Sequence, residues 1–240
     1  MNNMNEHDFL SRLQSLQHIN FNNILNEVKT EIVGLPENKK NVLFQQLKKG
    51  INILESHEQL IMYLFAYGKM HYEKLDYTFL KLKNKINFNL YNKLNIIDWG
   101  CGQGIATIIF FDFLKKIFNV EPNSYIDKIY LIEPSAKAIE RAKFFVELYN
   151  IDPEKIHLKN IFFENINIEE FSLNADSTTL HLFSNILDIE HIDLKELARK
   201  VTTLYSNNTY IITVGPLNRN NKRLDRFFDY FDYDRIEIIF

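Results

Sequence analysis

Residues 96–106 read IIDWGCGQGIA. The chain has 7 glycines in 240 residues. Three of them, Gly100, Gly102 and Gly104, stand on alternate positions here, directly after an apolar run that carries Asp98 at its end. The run before the glycines reads as a strand, and the apolar residues from Ile105 onward read as a helix. Glycine between a strand and a helix permits backbone angles that a Cβ forbids. It also lets a ligand lie against the main chain, facing the free amides of the helix start.

The pattern around this turn repeats it. Short β-branched runs at 95–99, 128–133, 155–160, 178–184 and 209–214 alternate with helical patterns at 105–118, 135–150 and 193–205. Ile139, Ala142, Val146 and Tyr149 form one apolar stripe, and Leu194, Leu197, Val201 and Leu204 another. Strands alternating with helices predict an α/β fold, a parallel sheet with helices on both faces. Residues 234–240 read as a further strand where the chain stops, so later strands of the sheet are expected to be missing or supplied otherwise. Before residue 90 only helical spacing is visible: Phe9, Leu10, Leu13 and Leu16; then Phe44, Leu47 and Ile51 after a loop at 34–41; then a long helix over 58–82. The expected organisation is an all-helical domain over 1–90 and a sheet domain over 91–240, without internal repeats or a low-complexity linker.

Composition narrows the function classes. The formal net charge is −3, with 46% hydrophobic and 25% charged residues, so no global field demands nucleic acid or an anionic membrane. Cys101 is the only cysteine, which excludes a disulfide framework and a multi-cysteine metal site. A cytoplasmic setting is expected, since the amino terminus lacks the basic start and apolar stretch of a signal peptide. No run approaches the roughly 20 apolar residues of a spanning helix. The histidines are scattered, with no HExxH pair, so no metal is expected.

The spacing of the turn separates two ligand families. A dinucleotide fingerprint reads GxGxxG, but here the third glycine comes one residue early and Ile105 stands in its place. The segment DWGCGQG, residues 98–104, instead resembles motif I of the class I S-adenosylmethionine-dependent methyltransferases. That resemblance implies a Rossmann-like methyltransferase sheet and S-adenosylmethionine as cofactor, with the turn residues Asp98, Gly100, Cys101, Gly102, Gln103 and Gly104 around its methionine and ribose part. It also implies an acidic residue at the tip of the second strand for the ribose hydroxyls. Glu133 stands there, followed by Pro134 and by Ser135 as a helix cap; it comes 29 residues after Gly104, and residues 119–127 are read as an insertion. Contacts to the adenine are implied after the third strand, where Glu164 or Asn165 offers a hydrogen bond and Phe162 or Phe163 a ring. Ser184, Asn185 and Asp188, after the fourth strand, are the polar groups best placed to face the pocket. The resemblance covers about 91–240, with motif I and Glu133 as its close matches.

The acceptor is less legible. An Asp/Asn-Pro-Pro-aromatic motif is absent, and so is a cysteine after the fourth strand, which removes two kinds of base methylation. No catalytic residue is assigned. Tyr67 is expected to lid the pocket on the acceptor side, with Lys69, Met70 or His71 as neighbours on the same helix. Two basic clusters, Lys74, Lys81, Lys83 and Lys85, and Arg219, Lys222, Arg223 and Arg226, read as a phosphate-contacting rim, so RNA or DNA is the favoured acceptor. A helical preface followed by motif I is also faintly similar to the methyltransferase-like assembly factors of the small ribosomal subunit, although the chain has no four-cysteine cluster and no strong basic tail. The alternatives are a non-catalytic binding or assembly module on the same fold, and a nicotinamide-dependent oxidoreductase.

Overall fold

Leu94–Trp99 is buried at every position, as the central strand of a parallel sheet must be. The computed structural model describes residues 4–83, 93–174, 176–206, 208–216 and 222–231. In it β1 (Leu94–Trp99), β2 (Ile126–Ile132), β3 (Ile156–Lys159), β4 (Thr178–Ser184) and β5 (Asn208–Val214) form one sheet in the order β3-β2-β1-β4-β5. Every pairing is parallel, and Asp98 lies opposite Leu131 of β2 and Leu182 of β4. This is the expected Rossmann-like sheet. Strand order reverses at β1, so a crevice opens beyond the carboxyl ends of β1 and β4, where such sheets bind ligands. The strand expected at 234–240 lies outside the described residues, as do Lys85 and Arg219.

Helices α1 (Glu6–Gln14), α2 (Phe21–Val33), α3 (Glu37–Gln46) and α4 (His57–Leu82) precede the sheet. They are followed by α5 (Ile105–Phe113), the single turn α6 (Pro122–Tyr125), α7 (Ala136–Leu148), α8 (Leu194–Thr203) and α9 (Arg223–Phe228). One face of the sheet carries α5 and α7. These share a single apolar cluster with the amino-terminal helices, in which Phe79 of α4 meets Phe110 and Phe113 of α5. On the other face Ile97, Trp99, Tyr130 and Phe183 pack with α8 and with Phe163 and Phe227.

Helix α4 runs 26 residues from a capping box between Ser56 and Gln59, which satisfies two free amides reciprocally. Its Gly68 lets α2 cross closely: a Cβ there would come within 2.6 Å of Leu25. The buried Arg141 of α7 ties in α1, donating to Glu6 at 2.8 Å and contacting His57 Nδ1 at 3.1 Å. Among the described residues no helix is long and apolar enough to cross a membrane.

Four details differ from expectation. The loop expected at 34–41 gives way to α3 at Glu37, because Pro36 at φ −58° leads straight into a helix with an acidic first turn. Phe44, Leu47 and Ile51 do not share a helix face. Helix α3 ends at Gln46, Leu47 is fully buried, and Phe44 and Ile51 are exposed. The helix expected over 105–118 is regular to Phe113 and then passes through a π turn, Leu114–Phe118, that Asn119 ends at φ +53°. Helix α2, with Phe21, Ile24, Leu25, Val28 and Ile32 inward, is an element the spacing analysis does not pick out.

Candidate functional site

The turn after β1 is built from three left-handed glycines, at φ +65° for Gly100, +52° for Gly102 and +73° for Gly104. Each is bare for a different reason. A Cβ on Gly104 would sit 3.2 Å from Ala142 of α7, so this position sets a helix contact. On Gly100 it would fall 2.7 Å from Ile186 and 3.3 Å from Phe163, so this bareness serves the chain's own packing. On Gly102 it would meet nothing within 4 Å. Gly102 is therefore the point at which the turn is open to a ligand.

Asp98 braces the turn from below. It is buried, and Thr107 donates to its Oδ2 at 2.7 Å while Oδ1 has no partner. Burial pushes its carboxyl up to about 7, against the pull of the Thr107 hydrogen bonds. Cys101 donates its amide to Ile132 of β2 at 2.9 Å. Its thiol is buried and its pKa raised well above the ordinary value by that burial, so it acts as a packing group. Gln103 donates from Nε2 to the Leu60 carbonyl at 3.0 Å, fastening the turn to α4.

Glu133 faces the same space from the tip of β2. One carboxylate oxygen accepts the Gly102 amide at 3.1 Å and the other accepts the Ser135 amide at 2.9 Å. Burial raises its pKa, and the two amides oppose that rise. Asn160 donates to the Glu133 and Pro134 carbonyls, both at 2.9 Å, which fixes the strand tip. Ser135 accepts from Ala138 at 3.0 Å as the cap of α7 and donates to the Leu54 carbonyl.

After β3 the two candidate rings part. Phe163 is buried between Gly100 and Trp99, whereas Phe162 is 47% exposed. Glu164 and Asn165 are exposed. This segment is positioned by Lys200 of α8, whose buried ammonium donates to the carbonyls of Phe163, Glu164 and Ile166 at 2.7, 3.0 and 3.1 Å. Three acceptors satisfy all three donors of a lysine. The motif comparison does not reveal Lys200, because a lysine on an amphipathic helix carries no sign of its inward aim.

At the tip of β4, Asn185 takes a left-handed conformation at φ +55°. Its Nδ2 reaches Ser184 Oγ at 3.3 Å and Nδ1 of His71, on α4, at 2.8 Å. His71 Nε2 in turn lies 3.1 Å from the Tyr63 hydroxyl. Burial pushes His71 down to about 4, so it is neutral at physiological pH. Tyr63 is held well above its ordinary pKa by burial and by the nearby Glu133 carboxylate. Asp188 lies close enough to act on both Tyr63 and Lys74, and its Oδ1 is buried without a partner.

Helix α4 meets the tip of β4 through His71, which contacts Asn185, and Tyr63, which contacts His71. Tyr67, between them on the helix, packs its ring on Tyr63 and Phe44. Tyr63 lies four residues before Tyr67 and eight before His71, and that i, i+4, i+8 stripe was the available sequence signal.

The second basic cluster is partly committed to structure. Arg223 donates to the carbonyls of Leu187 and Ile192 at 2.8 and 2.6 Å, holding the loop after β4. Lys74, from the first cluster, donates to the Gly215 carbonyl at 3.3 Å. A broad cleft of about 1010 Å³ bordered by Asn20, Asp112, Lys116 and Asn150 lies at the amino-terminal end of the strands and shares no residue with the turn.

No family model matches the chain, and no curated protein does. Several solved structures are similar. The YcgJ protein of Bacillus subtilis is 11% identical with a TM-score of 0.39, over 60% of this chain and 51% of that one. This chain thus spans about half the length of that protein. An rRNA methylase from Streptococcus thermophilus is 12% identical, TM-score 0.40, over 71% of this chain and 89% of its own. A magnesium protoporphyrin IX methyltransferase from Synechocystis, solved with bound S-adenosylmethionine, is 12% identical, TM-score 0.40, over 82% and 87%. At these values the likeness carries no argument about activity, which has to be read from the residues of this chain.

Proposed function

We propose that the chain binds S-adenosylmethionine on the glycine turn and transfers its methyl group to a nucleic acid acceptor, RNA ahead of DNA, in a cytoplasmic setting. The observation that carries this reading is Gly102: left-handed, bare toward open space, and facing a carboxylate at the neighbouring strand tip.

Three features of the chain fit the cofactor. The space beside Gly102 lets an amino-acid or sugar moiety lie on the main chain. Each Glu133 oxygen has one amide partner, and a carboxylate offers about four lone-pair sites, so capacity remains for two ribose hydroxyls. The unpartnered Oδ1 of Asp98 adds negative charge beneath a cationic ligand. Ile186 and Phe163 supply an apolar wall, while Ser184, Asn185 and Pro134 border the strand tips.

When bound, this cofactor supplies an electrophilic methyl group, and its transfer depends chiefly on alignment. The chain's contribution is to bind, orient and exclude water. Tyr63, His71 and Asn185 form a neutral hydrogen-bonded row above the crevice that can hold an uncharged acceptor without competing for a cation. Asp188, with one free oxygen, is the acceptor-side carboxylate.

Isothermal titration with S-adenosylhomocysteine tests the reading first, and transfer of labelled methyl groups to cellular RNA and protein fractions tests it second. Binding with transfer to RNA is the expected result. Binding without any transfer makes the chain a cofactor-binding module, and binding of NAD instead removes the methyltransferase reading.

A further inference from the structure

Lys48, Lys49 and Gly50 pass through three successive left-handed conformations, at φ +45°, +60° and +88°. A left-handed residue other than glycine costs roughly 1–2 kcal/mol, and the two lysines stand where Gly or Asn is favoured. The surroundings hold them there. Gly50 donates its amide to the Leu47 carbonyl at 2.8 Å, Asn52 Nδ2 donates to the Gln46 carbonyl at 3.0 Å, and Leu47 is fully buried. Backbone strain that is over-determined in this way clusters at functional sites.

The turn puts charge and rings on display. Lys48 and Lys49 are exposed, and neither ammonium has a partner among the described residues. Beside them Phe44 is 50% exposed, with its ring 6.2 Å from that of Tyr67. The turn also adjoins the candidate site: a Cβ on Gly50 would lie 3.3 Å from the Tyr63 ring, and Tyr63 leads through His71 to Asn185 at the tip of β4.

We infer that this turn is a nucleic acid rim, on which a single strand sets phosphates against Lys48 and Lys49 and a base against Phe44 on its way to Tyr63. The chemistry favours a strand over a bilayer. Single-strand sites set aromatic rings in a cationic groove, which Phe44 beside Lys48 and Lys49 supplies; a bilayer would instead use Val42, Phe44, Ile51 and Ile53, all exposed around the turn, and the vesicle arm of the test separates the two. The rim differs from both basic clusters legible in the sequence. It rests on the methyltransferase reading for what happens to the strand, and on the turn alone for binding.

The test is fluorescence anisotropy with a labelled single strand of about 12 nucleotides, inside the roughly 4–16 nucleotide span of single-strand sites. Lys48→Gln with Lys49→Gln should weaken binding at least about fivefold and flatten the log–log salt slope by about 1.4, two phosphates at about 0.7 each. Phe44→Ala should weaken binding about fivefold or more with the slope unchanged. Lys143→Gln with Lys195→Gln, away from the turn, should change neither. Absence of binding at low salt, binding indifferent to these variants, or binding of phosphatidylserine vesicles in place of the strand would overturn the inference. Titration with S-adenosylhomocysteine runs alongside. Cofactor binding without strand binding removes the rim alone, and strand binding through these residues without cofactor binding removes the methyltransferase reading alone.

Discussion

The Glu133 carboxylate accepts the Gly102 amide at 3.1 Å, joining the tip of β2 to the most open point of the turn after β1. If the same carboxylate also holds a ribose, Glu133→Ala weakens binding of S-adenosylhomocysteine by about 1.5–3 kcal/mol, the range for hydrogen bonds to a charged group. Titration calorimetry reads this directly. A change below about 0.5 kcal/mol would reduce Glu133 to a brace of the turn.

The three glycines separate binding from folding. Gly102→Ala meets no atom and bears only the left-handed penalty, about 1–2 kcal/mol, yet it places a methyl group where the ligand is proposed to lie. Gly104→Ala and Gly100→Ala add collisions with Ala142 and Ile186. Urea denaturation should rank Gly102→Ala as the most stable of the three, with cofactor binding nonetheless lost. Intact binding in folded Gly102→Ala protein would move the ligand elsewhere.

Asp98 sets a pH dependence of stability. Its carboxyl is pushed up to about 7 in the folded chain and titrates near 3.8 when unperturbed. Between these values the folded state holds the extra proton, so this contribution to stability is complete below about pH 4 and is lost as pH rises through about 7. Asp98→Asn removes the dependence. Its urea midpoint should therefore gain on that of the wild type between pH 5 and pH 8, and an equal difference at both pH values would contradict the burial argument. A cationic ligand favours the ionised carboxylate, so cofactor binding should also release protons, seen as a buffer-dependent heat.

Lys49 bears left-handed strain with an exposed side chain. Lys49→Gly relieves it and should raise stability by up to about 1 kcal/mol, offset in part by the greater freedom of glycine in the unfolded chain. Thermal melting reads the gain. If the turn is a binding rim, the same variant binds the oligonucleotide more weakly while melting higher, a pairing that a purely structural turn would not produce.

The sheet was legible because buried parallel strands are continuous β-branched runs, and all five observed strands coincide with expected runs to within about two residues at either end. The glycine turn and Glu133 were legible because their chemistry is local: a strand tip, a bare backbone and a carboxylate. The covering residues were not. Tyr63 and His71 acquire their roles only when α4 lies across the tip of β4, more than 100 residues later in the chain. Lys200 looks like a solvated charge in sequence and Arg223 like part of a phosphate-contacting rim, and only the fold brings carbonyls to them. The Lys48–Gly50 turn was hidden because lysine carries no preference for the conformation it adopts there. Apolar spacing across Phe44, Leu47 and Ile51 instead suggested one continuous helix.

Helix α5 is buried at every position from Ile105 through Phe111, with Thr107 the one polar side chain in that span, and α4 covers one side of it through Phe79. A gene cut near residue 90 would consequently yield two sticky fragments, each with a greasy flank made to be hidden by the other. Co-expression of the pieces should rescue solubility where either piece alone precipitates, making the amino-terminal helices a built-in escort for the sheet rather than a detachable accessory.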